Sequence, residues 1–216
     1  MKYKHILFDL DGTLSESGTG IINSYEYTLK AYGIEHKRED LAEFVGPPLR
    51  DNLLKYLKEG HNVDDYIKTY REYYSEHGIF ENDMYPGIKN MLEKFSEEGY
   101  KLHVASSKAT FYIEKVLKHF GIFEFFTSIG GDHMEGGRGE KIDIINYVLD
   151  MNNIADKSSV IMVGDRKYDI LGAKECGVES IGVLFGYGSR EELEEAGAAY
   201  IAESPQQIWE IISGQQ

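Results

Sequence analysis

One cysteine, Cys176, stands in 216 residues. An intramolecular disulfide is therefore excluded, which fits a reducing compartment. Long hydrophobic runs are missing too. No stretch approaches the roughly 18 apolar residues of a membrane span. The amino-terminal run of Ile6, Leu7 and Phe8 falls well short of the ~7 residues of a signal-peptide core. Positive charge is scarce: 23 Lys and Arg against 37 Asp and Glu leave a net −14 at pH 7. So acidic a chain argues against nucleic acid or anionic membrane as a routine partner. A small anionic ligand would need a metal or locally placed cations to be held at all. Internal repeats and low-complexity segments are absent. These absences predict a soluble, cytoplasmic protein with neither nucleic-acid nor membrane partners.

What is present is ordinary in bulk and uneven in pattern. With 42% apolar and 28% charged residues, the chain can bury one core, or a core and a small second domain. Short apolar runs end in polar or glycine-rich turns: HILFDLD (5–11), KLHVASSK (101–108), FFTSIGGD (125–132), SVIMVGDR (159–166), SIGVLFGYG (180–188) and AYIAES (199–204). Rich in Val, Ile and Phe without strict alternation, they predict strands buried on both faces of a parallel sheet. Helical spacing lies between them. Ile88, Met91, Leu92 and Phe95 share one face, and Ile113, Val116, Leu117 and Phe120 another. Ser204 and Pro205 read as N-cap and first residue of a last helix. Lys141 opens the helix before the fourth strand.

One interval breaks this rhythm. From Asp11 to the next strand at Lys101 is 90 residues, whereas a βαβ unit takes ~30. The excess is helical in pattern and is interrupted at Gly46-Pro47-Pro48, which cannot continue a helix. The fold class is then α/β: a doubly wound, Rossmann-like parallel sheet core (1–15 and 85–216) with a small helical cap domain (16–84).

In an open α/β sheet, ligands bind beyond the carboxyl ends of the strands. Asp9 and Asp11 end the first strand, Ser106 and Ser107 the second, and Asp165, followed by Asp169, the fourth. Each has a structural reading by itself. Strand-end aspartates form turns or cap helices, the serines could cap the helix starting near Thr110, and a helical Lys is usually solvated. Their joint fall on one edge of one sheet is the informative feature.

Taken in order, DLDGTL, VASSK, Lys141 and VGDRKYD resemble the four motifs of the haloacid dehalogenase superfamily, in its phosphoglycolate phosphatase-like branch with a helical cap after the first motif. The resemblance implies Mg²⁺-dependent hydrolysis of a small phosphorylated metabolite. It implies Asp9 as the nucleophile that forms an aspartyl-phosphate, Asp11 as general acid and base, and Ser106 and Lys141 as stabilising donors. It implies a Mg²⁺ held by Asp9, Asp11 through its backbone carbonyl and Asp165, with Asp169 completing the metal site through a water or from just behind the ligands. Substrate contacts fall to Thr13, Ser107 and, in a specificity segment of the cap (44–50), Gly46 and Arg50. Gly-Pro-Pro could equally be a simple turn between helices. The chain is expected as a monomer or weak homodimer. Asp11 favours phosphate chemistry over dehalogenation, because a halide leaves unprotonated.

Other features are set aside. GGRGEK (136–141) lacks the ending and spacing of a nucleotide P-loop and reads as a connection delivering Lys141. Asp132 with His133 reads as surface polarity, the tyrosines of 66–74 as packing, and Cys176 as a buried helix residue. Arg166 and Lys167 are cations beside a phosphate site that could equally point to solvent. Alternatives include a 5'-nucleotidase or other phosphatase, a β-phosphoglucomutase-like phosphosugar mutase, and, from another class, a phospho-receiver domain. Receivers need only ~120 residues and carry no helical insertion.

Overall fold

In the computed structural model, which describes residues 2–214, the chain runs from β1 (His5–Phe8) into β2 (Ser15–Glu16) and then into helices. These are α1 (Gly18–Ala31), a 3-10 helix (Arg38–Phe44), α2 (Leu49–Leu54) and α3 (Val63–Tyr73), whose end widens into a π turn over Tyr74–Gly78. The chain returns through β3 (Asp83–Met84), which pairs with β2. Glu16–Asp83 form one compact unit, and the segments up to Ser15 and from Met84 onward form the other.

The helical unit is held by aromatic packing. α1 buries Ile21, Tyr25 and Leu29, and α3 buries Tyr66, Ile67 and Tyr70. The Tyr25 ring meets Phe44 at 5.2 Å and Tyr70 at 4.8 Å between centroids, within the range in which aromatic pairs add stability beyond area alone. Residues before the Gly-Pro-Pro break wind as a 3-10 rather than an α-helix. Buried Asn52 donates to the Phe44 carbonyl at 3.0 Å, which Pro47 and Pro48, lacking an N–H, could not pair with along a helix.

The larger unit continues as α4 (Ile88–Glu97), β4 (Lys101–Ala109), α5 (Thr110–His119), β5 (Phe126–Asp132), α6 (Lys141–Met151), β6 (Val160–Gly164), α7 (Lys167–Cys176), β7 (Glu179–Val183), α8 (Arg190–Ala196), β8 (Tyr200–Ala202) and α9 (Pro205–Ser213). The six-stranded sheet has the order β5-β4-β1-β6-β7-β8, with every neighbouring pair parallel. Helices cover both faces, so the central strands bury residues of either parity. Leu7 packs with Ile144, Val148 and Met162 under α6 and α7, whereas Phe8 meets Phe95 of α4. Each such side chain contributes about 1.5–3 kcal/mol of burial. Ser204 caps α9 by accepting from the Gln207 amide, and Pro205 opens the helix.

Two local features depart from the sequence reading. β4 runs through Ser106 and Ser107 to Ala109, so neither serine caps α5, whose N-cap is Ala109 without a side-chain bond. The run 180–188 is strand only to Val183. α8 buries only Leu193 and Ala196, too few for an apolar stripe to mark it in sequence. Among the described residues, no helix is long and apolar enough to cross a membrane.

At the amino-terminal ends of the strands His103 is fully buried, 3.1 Å from His5 Nδ1 and 2.7 Å from Ser128 Oγ. Burial, with His5 and Lys101 nearby, lowers its pKa from 6.5 to about 4. The folded state thus resists a proton that the unfolded chain accepts below pH 6.5, and stability is lost as pH falls from there toward 4. The loss amounts to about 3 kcal/mol. Urea unfolding at pH 7 and pH 4 checks this: a His103→Gln variant is expected to lose about that much less than the parent, while all carboxylate contributions cancel in the comparison.

Candidate active site

Strand register builds the site. Phe8 is level with Val104 on one side and Val163 on the other. Asp9 and Asp165, which follow β1 and β6, and Ser106, within β4, therefore lie at nearly the same height. The strand order reverses direction around β1, which is where a doubly wound sheet opens a ligand crevice. The Asp9 amide still donates to the Val163 carbonyl at 2.9 Å, anchoring the turn that follows. A positive φ of 85° at Gly12 lets that turn double back, and any side chain there would overlap the Asp165 carboxylate.

Lys141 organises the charges. From the first residue of α6 its ammonium lies 3.0 Å from Asp9 Oδ1 and 2.7 Å from Asp169 Oδ1, and donates to the Ala105 carbonyl at 3.0 Å. All three side chains are buried. Burial would lower the Lys141 pKa, but Asp169 and Asp9 outweigh it and hold the ammonium above its ordinary range. Burial pushes Asp9 up to about 6, with Lys141 opposing and Asp169 and Asp11 adding to the rise. A hydrogen bond from Ser106 also favours the charged form of Asp9. Asp165, completely buried, is raised by that burial and by Asp169 and Asp9.

One oxygen from each of Asp9, Asp165 and Asp169 lies within 4.8 Å of the other two. Three carboxylates face one ammonium, an excess of negative charge that hard oxygen donors at this spacing would share with a metal ion. The donor set fits a divalent cation. Asp11 lies outside that group: its Oδ2 is paired with Lys108 Nζ at 2.5 Å, and both side chains are about nine-tenths buried.

The other residues singled out in the sequence take varied places. Thr13 is fully buried and donates to Asp165 Oδ1 at 3.2 Å, so its hydroxyl serves a carboxylate rather than an open pocket. Ser107 donates to the Gly139 carbonyl at 2.9 Å, tying β4 to the glycine-rich connection that leads to Lys141. Asp169 Oδ2 accepts from the Arg166 amide at 3.1 Å and caps α7. Gly46 and Arg50 belong to the helical unit, where Gly46 turns with φ 108° and Arg50 pairs with exposed Asp64. Arg166 is engaged by Glu192 at 2.9 Å, and Lys167 is exposed. Asp132 accepts from the His133 and Arg138 amides, a turn-forming role.

Two participants have no assigned role in the sequence reading. Lys108 follows the serines of VASSK, and a cation at the ligand edge of so acidic a chain was its available signal. The Tyr187 amide, which donates to Asp165 Oδ2 at 2.8 Å, is backbone and leaves no side-chain signal. Removing the central cation tests the arrangement. Lys141→Met strands buried carboxylates and is expected to cost about 3–5 kcal/mol in denaturant unfolding with EDTA. Millimolar Mg²⁺ should restore part of the loss by binding the folded state alone.

The chain matches the family of haloacid dehalogenase-like hydrolases over residues 6–183. It is 36% identical to a 5'-nucleotidase of Pseudomonas aeruginosa, with 89% of this chain and 88% of that protein aligned. It is 33% identical to the tyrosine-protein kinase PtkA of Mycobacterium tuberculosis over 91% of this chain and 67% of that one. A predicted phosphatase from Clostridium acetobutylicum has the same fold, with a TM-score of 0.92, 37% identity and coverage of 99% and 100% of the two chains. With a buried Asp-Lys-Asp cluster at the ligand edge of a parallel sheet and these relatives, the chain belongs to the haloacid dehalogenase-like hydrolases, among their phosphatases.

Proposed function

We propose that this chain hydrolyses a small phosphomonoester in two steps on Asp9, with Mg²⁺ held by Asp9, Asp165, Asp169 and the Asp11 carbonyl. The observation that carries the reading is the placement of two neighbouring carboxylates against different cations: Asp9 against Lys141, and Asp11 against Lys108. When bound, the ion supplies charge neutralisation between two anions, the carboxylate and the phosphate.

The remaining steps fall to the chain's own groups. Asp9 attacks phosphorus, forming an acyl-phosphate bond as the ester P–O bond breaks. Asp11, protonated for this step, gives its proton to the leaving alkoxide. It then takes a proton from a water molecule that attacks the same phosphorus, releasing phosphate and restoring Asp9. Lys141 holds Asp9 in line from the second face and offers a cation to the phosphoryl oxygens, and the Ser106 hydroxyl donates beside it. Separate partners keep the two carboxylates from being interchangeable, which the acid and nucleophile roles require.

Phosphoglycolate, nucleoside monophosphates, sugar phosphates and pyrophosphate all fit this chemistry. The similarity to PtkA, named a tyrosine kinase, supports a second reading in which an acceptor other than water takes the phosphoryl group. Phosphate release from a panel of about 50 phosphorylated metabolites, with product analysis for isomers and phosphotyrosine, separates these readings.

With p-nitrophenyl phosphate, turnover is expected to require Mg²⁺. Asp9→Asn should lower it by roughly four orders of magnitude or more. Substantial turnover by that variant would exclude the aspartyl-phosphate route. Asp11→Asn should lose about 10²–10⁴-fold on alkyl phosphates and less on the p-nitrophenyl ester, whose leaving group departs without a proton.

A further inference from the structure

β7 lies next to β6, with Gly182 level with Gly164, so the chain emerging from β7 must pass beside Asp165. The passage is unusually close. A Cβ on Gly186 would overlap both the Gly12 carbonyl oxygen and the Asp165 side chain, and one on Gly188 would overlap the Asp165 carbonyl oxygen. Between these glycines the Tyr187 amide donates to Asp165 Oδ2 at 2.8 Å. Opposite, Thr13 donates to Oδ1. The loop is itself anchored, because the Phe185 ring meets Tyr85 at 5.1 Å and 66°.

We propose that the segment 184–188 is a positioning device for metal binding: its two side-chain-free residues let the Tyr187 amide reach Asp165 and fix the direction of that carboxylate's remaining lone pairs. Asp165 has no solvent exposure, so water cannot take over the task of orienting it. A rotation of the carboxylate would shift both oxygens relative to Asp9 and Asp169, with which one of them is grouped. Octahedral Mg²⁺ tolerates little misplacement of its ligands, and partners that orient ligating carboxylates commonly govern metal affinity by 10–100-fold. Gly186, Gly188 and Tyr187 therefore act through Asp165 without touching substrate. The inference rests on the reading that Asp165 is a ligand for the divalent ion.

The test compares Gly186→Ala, Phe185→Ala and a control, Gly121→Ala, by calorimetric titration with MgCl₂ and by p-nitrophenyl phosphate kinetics at varied Mg²⁺. Gly121 has φ 63° and open space around its Cβ position, so its substitution strains the backbone away from the site. Gly186→Ala is expected to raise the Mg²⁺ dissociation constant at least tenfold, and Phe185→Ala about threefold by loosening the loop. In both, KM for substrate at saturating Mg²⁺ should change little. Gly121→Ala should lower the urea midpoint with an unchanged Mg²⁺ constant. An unaltered Mg²⁺ constant in folded Gly186→Ala and Phe185→Ala, beside a normal response of the parent, overturns the loop's role. If Gly186→Ala does not fold, Phe185→Ala decides. A parent protein that neither binds Mg²⁺ nor needs it for turnover overturns the metal reading itself, and this inference with it.

Discussion

The repulsion among Asp9, Asp165 and Asp169 at one dry mouth of the sheet is the constraint that the rest of this molecule answers. Two unit charges at 4 Å interact by roughly 4 kcal/mol in a protein-like dielectric, and three buried carboxylates multiply that cost. Lys141 offsets part of it by contacting two of the three at once. Hydrogen bonds from Thr13 and the Tyr187 amide satisfy the third. Burial first, and then the repulsion that one ammonium leaves uncompensated, push up the pKa values of Asp9 and Asp165. A site of this kind weakens the fold that holds it, and it is tolerated because the surrounding sheet is buried on both faces and rigid.

A second consequence follows from the spacing of the first motif. Asp9 and Asp11 are separated by Leu10, which is fully buried, and the turn after β1 sends their side chains to different cations. Asp9 meets an ammonium arriving from α6, and Asp11 one arriving from the end of β4. Two identical functional groups thus acquire distinct surroundings within three residues. The proposed division into attack and proton transfer draws on that separation.

Much of the architecture was legible in the linear chain. The apolar runs ending in polar residues marked all six strands of the parallel sheet, and helical spacing marked α4 and α5 with their buried faces. Less legible were segments in which local and tertiary preferences compete. Residues 38–44 have the composition of an α-helix but tighten into a 3-10 helix that stops at Phe44, where Pro47 and Pro48 bring no N–H to carry the ladder on. Residues 184–188 look like a continuing strand but must bend around Asp165. Thr13, which the motif suggested for substrate, turns out to support a carboxylate.

By itself the sequence determined which groups are available: acidic residues at the ends of apolar runs, one Lys at a helix start, glycines where chains must pass closely. Side-chain chemistry and local periodicity are properties of the chain, and they survive being read in one dimension. Only the tertiary structure decided who meets whom. Strand register brought Asp9 within one residue of the height of Asp165, the crossover from β5 to α6 delivered Lys141 between two aspartates, and Lys108 turned to Asp11. A backbone amide at Tyr187 became a carboxylate's partner for the same reason: distance in space is set by packing, and no feature of residue 187 alone encodes its neighbour 22 positions earlier.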